Sequence, residues 1–456
     1  MPATPSVRNY LSADAMVALL RASFAKIADP RPGNNTVITL TDALMSAYAM
    51  FALKDPSLLA FDERREHETQ DHNLRSLFKI QDIPSDTHMR TILDPLKPAE
   101  LAPAFQDIFR ALQRGKVLES YRYLDEGYLL ALDGTGYFSS KSIHCASCAE
   151  KHHKGEDGTD TITYEHQMLG AVLIHPDKRE VIPVMPEPII KQDGAVKNDC
   201  ERNAARRFLA QFRVVHPHLS VIVVEDALAS NAPHICDLKD HGMHFLLGVK
   251  EGDHAYLFAE VLQRMESDDP RVEVVERNVS TCKTKTKYLF TIVRDVPLNE
   301  SNDEVRVTFL QCQEINEADE ITGMYTWVTD LEVTQANVWQ VMRAGRSRWK
   351  IENETFNTLK NQGYHYEHNF GHGKQNLSVV FALLMMLAFL IDQVQQLCNP
   401  LFQGALARLG SKRALWERQR ALVYDYQLVS LRELYEALCY GYKRARVQVN
   451  SQIDTS

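Results

Sequence analysis

The chain has 456 residues, of which 45% are hydrophobic and 24% charged, and its formal net charge is −9. This composition is ordinary for a folded globular protein and argues against low-complexity and repeat architectures. The negative charge argues against nucleic-acid binding by the surface as a whole, because such binding depends on Lys and Arg meeting phosphates. The charge is segregated, however: residues 343–360 contain five cations and two acids, and residues 412–446 contain eight and four. Local basic surfaces are therefore compatible with a nucleic-acid partner.

Residues 1–125 have the apolar spacing of several short amphipathic helices, and Ser12 and Ser85 or Asp86 are suitable N-caps. We expect this all-α region to be either a structural cap or a DNA-recognition module. The first residues lack a basic region followed by an apolar core, so we expect no signal peptide.

The pattern changes to alternating strands and helices in residues 126–252. The predicted strands are "YLLALDGTGYF", "HQMLGAVLIHPD", "REVIPVMPEPII", "LSVIVVEDALAS" and "MHFLLGVK". Helices are predicted before each of the last two strands, which are almost wholly apolar and therefore expected to be buried on both faces. The order β-β-β-α-β-α-β predicts an α/β fold: an RNase H-like mixed sheet with helices on both faces.

Three further regions follow this first part of the core. Residues 253–332 alternate between polar and apolar positions, which predicts an antiparallel β subdomain inserted into the α/β domain. Residues 333–398 are expected to complete the core with helices. The apolar run 377–391 within them is shorter than the ~20 residues that span a bilayer, so we expect a buried helix and no membrane partner. Residues 399–456 are expected to form a basic, helical C-terminal region.

Three carboxylates are candidates for a common metal site. Asp133 ends the first predicted strand, Asp226 ends the fourth directly after Glu225, and Glu352 lies on a late helix. The carboxyl ends of neighbouring strands face one crevice, where two carboxylates repel each other unless a cation lies between them. Mg²⁺ prefers such oxygen ligands, and two ions ~3.5–4 Å apart stabilise both the entering and the leaving oxygen of a phosphoryl displacement.

Each of these acids also has an ordinary explanation. Asp133 with Gly134 could form a turn, Asp226 could cap a helix, and Glu352 could lie on a solvated face. The joint occurrence of all three in this strand order, with cations around the third, favours a metal site.

A second candidate metal site lies in "IHCASCAEKHH". Structural zinc takes four Cys or His ligands in a tetrahedron, and the Cys-x₂-Cys spacing suits half of such a site. The candidate ligands are Cys145, Cys148, His152 and His153, with His144, His166 or Cys200 as further donors. The alternative is a pair of ordinary buried thiols. A redox pair is disfavoured because no helix begins after the motif.

Three motifs, "LLALDGTGYF", "VIVVEDALAS…HFLLGVK" and "RSRWKIENETFNTLK", resemble those of the DDE transposases of bacterial insertion sequences. The resemblance covers about residues 20–400 and is to the subgroup with a β-strand insertion before the last acidic helix. It implies a triad of Asp133, Asp226 and Glu352 that holds two Mg²⁺ ions, with Mn²⁺ as a substitute and Glu354 as second choice for the third acid. It also implies metal-dependent cleavage at transposon ends and strand transfer into target DNA.

The resemblance also implies contacts with DNA. Arg348 and Lys360, which share the helix of Glu352, would hold backbone phosphates of the cleaved end. The other candidate DNA-binding residues are Trp349, His368, Asn369, His372 and Trp327. Trp327 could stack on a base pulled out of the duplex or pack in the core, and the loop "HNFGHG" could approach DNA or simply end the helix. The sequence departs from the family at Gly345, where relatives often have Tyr, so a contact of Tyr with phosphate is not expected.

The partners implied are double-stranded DNA, both transposon ends and target, and a second copy of the chain, since joining two ends requires a homodimer or a higher oligomer. End binding is assigned to the N-terminal helices and the basic C-terminal region, and the location is the bacterial cytoplasm, near the nucleoid. Two alternatives remain: an RNase H-like nuclease without strand transfer, and a domesticated DNA-binding protein on a transposase scaffold.

Overall fold

The computed structural model describes residues 9–32, 37–124, 127–154, 160–191, 200–280 and 285–441. The basic residues Lys443, Arg444 and Arg446 of the predicted C-terminal region lie outside this part of the chain.

Six helices form the N-terminal region: α1 (Ala13–Phe24), α2 (Leu40–Ala52), α3 (Leu58–Arg65), α4 (Glu68–Phe78), α5 (Asp86–Leu93) and α6 (Ala102–Arg114). The predicted N-caps are present, since the side chains of Ser12 and Ser85 accept hydrogen bonds from backbone N–H groups of α1 and α5. Each cap satisfies a donor that the first helical turn leaves without a partner.

The central sheet contains β1 (Arg122–Tyr123), β2 (Gly127–Ser140), β3 (Ala149–Lys154), β4 (Asp160–Ile174), β5 (Ile182–Pro183), β6 (Glu187–Ile189), β7 (Val221–Glu225) and β8 (His244–Gly248). The main strand order is β3-β4-β2-β7-β8. β2 pairs antiparallel with β4 and parallel with β7, which in turn pairs parallel with β8. This order confirms the RNase H-like α/β fold. The predicted third strand is present as the short pieces β5 and β6, and both pair with β4.

Two helices connect the parallel strands. α7 (Glu201–Val215) precedes β7, and α8 (Ala232–Asp240) lies between β7 and β8. All five residues of β7 are buried, as expected for a strand covered on both faces.

The predicted β insertion is present but does not form a separate sheet. Its strands are β9 (Val272–Ser280), β10 (Lys285–Pro297), β11 (Arg306–Ile315) and β12 (Ile321–Thr329). They form an antiparallel meander, and β12 pairs antiparallel with β8, so the meander extends the edge of the central sheet. A helix not expected from the strand-like pattern, α9 (Ala255–Glu266), comes before the meander.

The late helical segment begins with α10 (Val338–Arg346) and ends with α11 (Asn357–Asn361), and a π-helical stretch (Ile351–Phe356) lies between them. After a loop follow α12 (Leu377–Cys398), α13 (Pro400–Leu409), α14 (Lys412–Asp425) and α15 (Leu431–Tyr440).

Helix α12 is long and apolar enough to cross a membrane, but 89% of its apolar 18-residue stretch is buried inside the protein. It packs against α2, and its Asp392 lies 2.6 Å from the buried ammonium of Lys54. The prediction of a buried core helix for this run is therefore confirmed.

The N-terminal and C-terminal helices pack on each other. In α4, the side-chain amide of Asn73 donates to the carbonyls of Val423 and Tyr426 and accepts from the N–H of Leu428. The N-terminal helices thus form one body with α12–α15.

The start of α12 is capped by a residue distant in sequence. The carboxylate of Asp94, directly after α5, accepts hydrogen bonds of 2.9–3.1 Å from four successive backbone N–H groups, those of residues 374–377. Gly373 has a φ of +70°, and a Cβ there would lie 2.3 Å from the Asp94 carboxylate. Close approach of Asp94 to this turn therefore requires glycine.

Candidate active site

Asp133 and Asp226 lie on neighbouring strands. In the parallel pairing of β2 with β7, Leu130 is opposite Val223 and Ala131 is opposite Val224. The same register two residues further on places Asp133 beside Asp226, at the carboxyl end of β7. The prediction that Asp133 ends its own strand is wrong, because β2 continues to Ser140 and Asp133 lies midway along it, just beyond the residues that pair with β7. This edge of the sheet is where ligands bind in open α/β folds.

Glu225, the last residue of β7, and Asp226, which follows it, have different hydrogen-bond partners. Glu225 is buried, and its carboxylate lies 2.6 Å from Nε2 of His234 in α8. Asp226 is only partly buried and accepts a hydrogen bond from the N–H of Leu228. Asp226 is therefore the acid available to a site shared with Asp133.

A cation accompanies the first acid. Nη1 of Arg348 lies 3.1 Å from Oδ2 of Asp133. Burial nevertheless raises the pKa of Asp133 above its ordinary value, because the lowering by Arg348 is opposed by repulsion from Asp226 and Glu352. Asp226 and Glu352 are therefore both close enough to Asp133 to affect its pKa. Their oxygen donors suit a hard cation, which would relieve the repulsion.

The helix that carries Glu352 is held against β4 by a close aromatic contact. Gly170 is the cross-strand neighbour of Asp133. A Cβ at Gly170 would lie 2.6 Å from Cζ of Phe356, so the Phe356 ring lies directly on this glycine. The ring therefore anchors the Glu352 helix beside the strand position of Asp133.

The helix is π-helical where it carries Glu352. The N–H of Asn357 donates to the carbonyl of Glu352, five residues earlier, which places one extra residue in that turn. Two ordinary α-helical turns correspond to about seven residues. With one residue inserted, Lys360, eight residues after Glu352, lies about two turns away on the same side. The π-helical stretch thus brings Glu352 and Lys360 onto one face.

Glu354, the second choice for the third acid, is engaged elsewhere. Its Oε2 lies 3.1 Å from Nε of Arg179, in the turn after β4. Glu352 is exposed and is one of the carboxylates that raise the pKa of Asp133. This arrangement favours Glu352.

A fourth carboxylate, not predicted from the sequence, lies at the same place. A Cβ on Gly134 would lie 2.6 Å from Oε2 of Glu201, at the start of α7, so this carboxylate rests on the backbone next to Asp133. Partial burial raises the pKa of Glu201, and the carboxylates of Asp133, Asp226 and Glu225 raise it further. The sequence signal was weak, because a Glu in the first turn of a helix is common and favoured by the helix dipole.

Several predicted DNA-binding residues lie on accessible surface. Trp349 is 44% exposed, and His368 and Asn369 are also exposed. Lys360 is partly exposed and pairs with Glu367 at 2.9 Å. It also contributes to a basic cavity of about 330 Å³, lined by Lys360, Asn361, Gly363, His365, Arg413, Trp416, Glu417 and Arg420.

The structure corrects the prediction of a DNA contact for Trp327. Its side chain is only 6% exposed, and a Cβ on Gly345 would lie 2.5 Å from its Nε1. The indole therefore fills the space next to Gly345. Trp327 packs in the core and is not available to a base.

His372 is also misplaced among the DNA-binding candidates, because it is buried in a cluster with Cys145, Cys148 and His166. One donor atom from each of the four side chains lies within 4.8 Å of all the others. The predicted ligands His152 and His153 are instead exposed on β3. As consecutive strand residues they point to opposite faces of the sheet, and neither belongs to the cluster. Of the further donors considered, His166 joins the cluster, whereas Cys200 is the exposed N-cap position of α7 and His144 stacks on Tyr164.

Residues 144–390, more than half of the chain, match the protein-family model described as the transposase DDE domain. The matched range includes Asp226 and Glu352 and begins after Asp133. No curated protein matches the chain.

Proposed function

The chain belongs to the transposase DDE domain family, and from this premise we propose that it cleaves DNA at the ends of its own element and joins the freed ends to target DNA. Asp133, Asp226 and Glu352 form the catalytic triad in this proposal. One observation supports it above all others: the three acids, with Arg348, influence one another where β7 ends beside β2.

The donor set fits hard divalent cations, Mg²⁺ or Mn²⁺. Three carboxylates repel one another in a partly buried place, and a bound cation removes this repulsion. Two ions held there would supply Lewis-acid stabilisation of the attacking and leaving oxygens of an in-line displacement. Water would serve as the nucleophile for cleavage and a 3′-OH for strand transfer, so one site serves both reactions.

The protein's own residues would bind and orient the DNA. Arg348, four residues before Glu352, is placed to pair with a phosphate next to the scissile bond when it leaves Asp133. Lys360 would hold a phosphate about two turns further along. The exposed Trp349 offers a stacking surface, and His368 and Asn369 lie on the following loop.

A basic surface next to the catalytic helix supports an extended path for the DNA. The cavity that contains Lys360 also contains Arg413 and Arg420 of α14. We assign end recognition to residues 1–125 together with the C-terminal helices, which form one body. Joining two ends requires at least two copies of the chain.

The decisive experiment incubates the full chain with flanking DNA that contains the ends of its own element, with Mg²⁺, and maps the products. We expect cleavage at the ends and joined products. Asp133→Asn, Asp226→Asn and Glu352→Gln should each reduce cleavage about a thousandfold or more, because the loss of a metal ligand removes several kcal/mol of transition-state stabilisation. End binding should remain within about twofold of wild type.

Glu354→Gln is the matched control, since it lies two residues away on the same helix and pairs with Arg179. It should retain cleavage. If Glu354→Gln abolishes cleavage while Glu352→Gln does not, the third acid is misassigned. Nicking without joined products would identify a nuclease, and end binding without any cleavage would identify a DNA-binding protein on this scaffold.

A further inference from the structure

Four buried donor groups converge at a place distinct from the carboxylates. Sγ of Cys145 and Sγ of Cys148 lie 3.7 Å apart, too far for a disulfide bond of about 2.05 Å. Nε2 of His166 lies 3.3 Å and 3.4 Å from these two sulfurs. Nε2 of His372 lies 3.1 Å from Sγ of Cys148. Each side chain therefore directs one donor atom to a common centre.

These separations are those of a tetrahedral zinc site. Zinc–sulfur bonds of about 2.3 Å and zinc–nitrogen bonds of about 2.0–2.1 Å place two sulfurs about 3.8 Å apart and a sulfur and a nitrogen about 3.6 Å apart. The observed separations lie at or slightly below these values. From this geometry we infer that Cys145, Cys148, His166 and His372 bind one structural zinc ion.

The surroundings favour a closed site. All four residues are buried, and each is at most 9% exposed. No coordination position therefore faces solvent. The imidazole of His166 stacks on Tyr137 with an interplanar angle of 12°, and His372 lies against Phe138 with ring centroids 4.3 Å apart. In many zinc sites hydrogen bonds orient the imidazoles. Here aromatic packing does so.

The zinc ion would join three segments that are distant in sequence. The two cysteines lie between β2 and β3, His166 lies on β4, and His372 lies on the loop after α11. The N–H of Ala146, between the cysteines, donates to the carbonyl of Lys374 at 3.1 Å, so the same loops also meet through their backbones. Zinc at this point would fix the loop that follows the Glu352 helix to the β2–β3 loop and to β4, which pairs with the strand of Asp133. This role is structural and does not depend on the proposed DNA chemistry.

The test measures zinc in the full-length protein purified without metal-affinity chromatography. We expect about one zinc ion per chain, as one four-ligand site implies. Cys148→Ser and His372→Ala should each lose this zinc. Removing zinc from the wild type with a chelator should lower the melting temperature by more than about 5 °C, because ligands that assemble only in the folded chain link metal binding to folding. The loop 365–376 should then become sensitive to protease.

Cobalt provides a second measurement that needs no variant to fold. Wild-type protein reconstituted with Co²⁺ should have the absorption of a tetrahedral ion with thiolate ligands. The double variant His152→Ala with His153→Ala is the matched control, because it removes two nearby exposed histidines, and it should keep zinc and the cobalt spectrum.

Zinc-free wild-type protein of unchanged stability would overturn the inference, and the cluster would then be held by thiol–imidazole hydrogen bonds. Zinc that persists in Cys148→Ser and in His372→Ala would also overturn it, because the ion would then lie elsewhere. None of these measurements uses DNA or Mg²⁺, so failure here is distinct from failure of the proposed cleavage.

Discussion

The carboxylate site and the Cys/His cluster are built on the same pieces of chain but have opposite character. Both use β2 and β4: Asp133 is opposite Gly170, and five residues further along β2, about 16 Å, Phe138 is opposite His166. Both also use the segment that begins with the Glu352 helix and ends at His372. The first site offers oxygen donors and is partly open, whereas the second offers sulfur and nitrogen donors and is closed.

The difference in exposure shows how access of solvent to a metal site determines the role that the site can have. A site that processes a substrate needs positions where water and phosphate can exchange, and exposed carboxylates leave such positions. A site that only joins segments needs none, and burial of four protein ligands removes them. Under the two proposals, β2 and β4 contribute to one site of each kind, because the donor atoms near Asp133 and near His166 differ.

The largest expected effect comes from removing each metal separately. Dialysis with a weak chelator should abolish cleavage, about a thousandfold or more, and leave the melting temperature unchanged, and added Mg²⁺ should restore the activity. A chelator strong enough to remove zinc should lower the melting temperature as well, and Mg²⁺ alone should then not restore cleavage. Activity assays and thermal melts after each treatment check this. Full recovery with Mg²⁺ alone after zinc removal would contradict the proposal that the zinc ion supports the segment that carries Glu352.

A smaller effect is expected from Arg348→Ala, which should alter the carboxylate site and leave the Cys/His cluster unchanged. Loss of one phosphate contact should weaken end binding about tenfold and reduce the slope of log K against log salt by about one. Titrations of end DNA at several salt concentrations measure both quantities, and zinc content should stay at the wild-type level. Arg343→Ala is the control, because Arg343 lies on the same helical segment but pairs with Asp177. Equal salt slopes in both variants and the wild type would place Arg348 away from the DNA.

The smallest effect is expected from Glu201→Gln. This change removes one negative charge beside Asp133, so the Mg²⁺ concentration for half-maximal cleavage should rise a few-fold, which corresponds to less than about 1 kcal/mol. The rate at saturating Mg²⁺ should not change. Glu187→Gln is the control, since Glu187 pairs with Arg207 rather than with the triad. Loss of cleavage at every Mg²⁺ concentration would instead make Glu201 a metal ligand.

Much of the fold could be predicted because it depends on local periodicity and strand order. The buried strand β7, the caps Ser12 and Ser85 and the buried helix α12 all follow from patterns within a few residues. The extension of the central sheet by the insertion could not be predicted, since the pairing of β12 with β8 is a long-range contact. The π-helical turn was also missed, because ordinary α-helical spacing fits the same residues.

The two candidate sites were predictable to different extents for a related reason. Cys145 and Cys148 have a recognisable spacing, but their partners come from β4 and from a loop more than 220 residues away. The sequence alone therefore favours the nearest histidines, His152 and His153. The sequence gives no sign that Trp327 and Gly345 are neighbours, although the indole occupies the space that the glycine leaves. Such pairs become visible only when the chain is folded. The positions of Asp133, Asp226 and Glu352 as a functional triad remain a prediction for the variants above to test.

The capping of α12 by Asp94 has a mechanical consequence. The carboxylate of Asp94 connects the helices proposed for end recognition with the turn that follows His372, and His372 contacts the β2–β3 loop and β4 through the Cys/His cluster. Under the proposed function, a displacement of α5 on DNA binding would therefore be transmitted to the loop after the Glu352 helix through two contacts, the Asp94 cap and the cluster of His372. Binding of a DNA end and alignment of the three acids would then be coupled and not independent events.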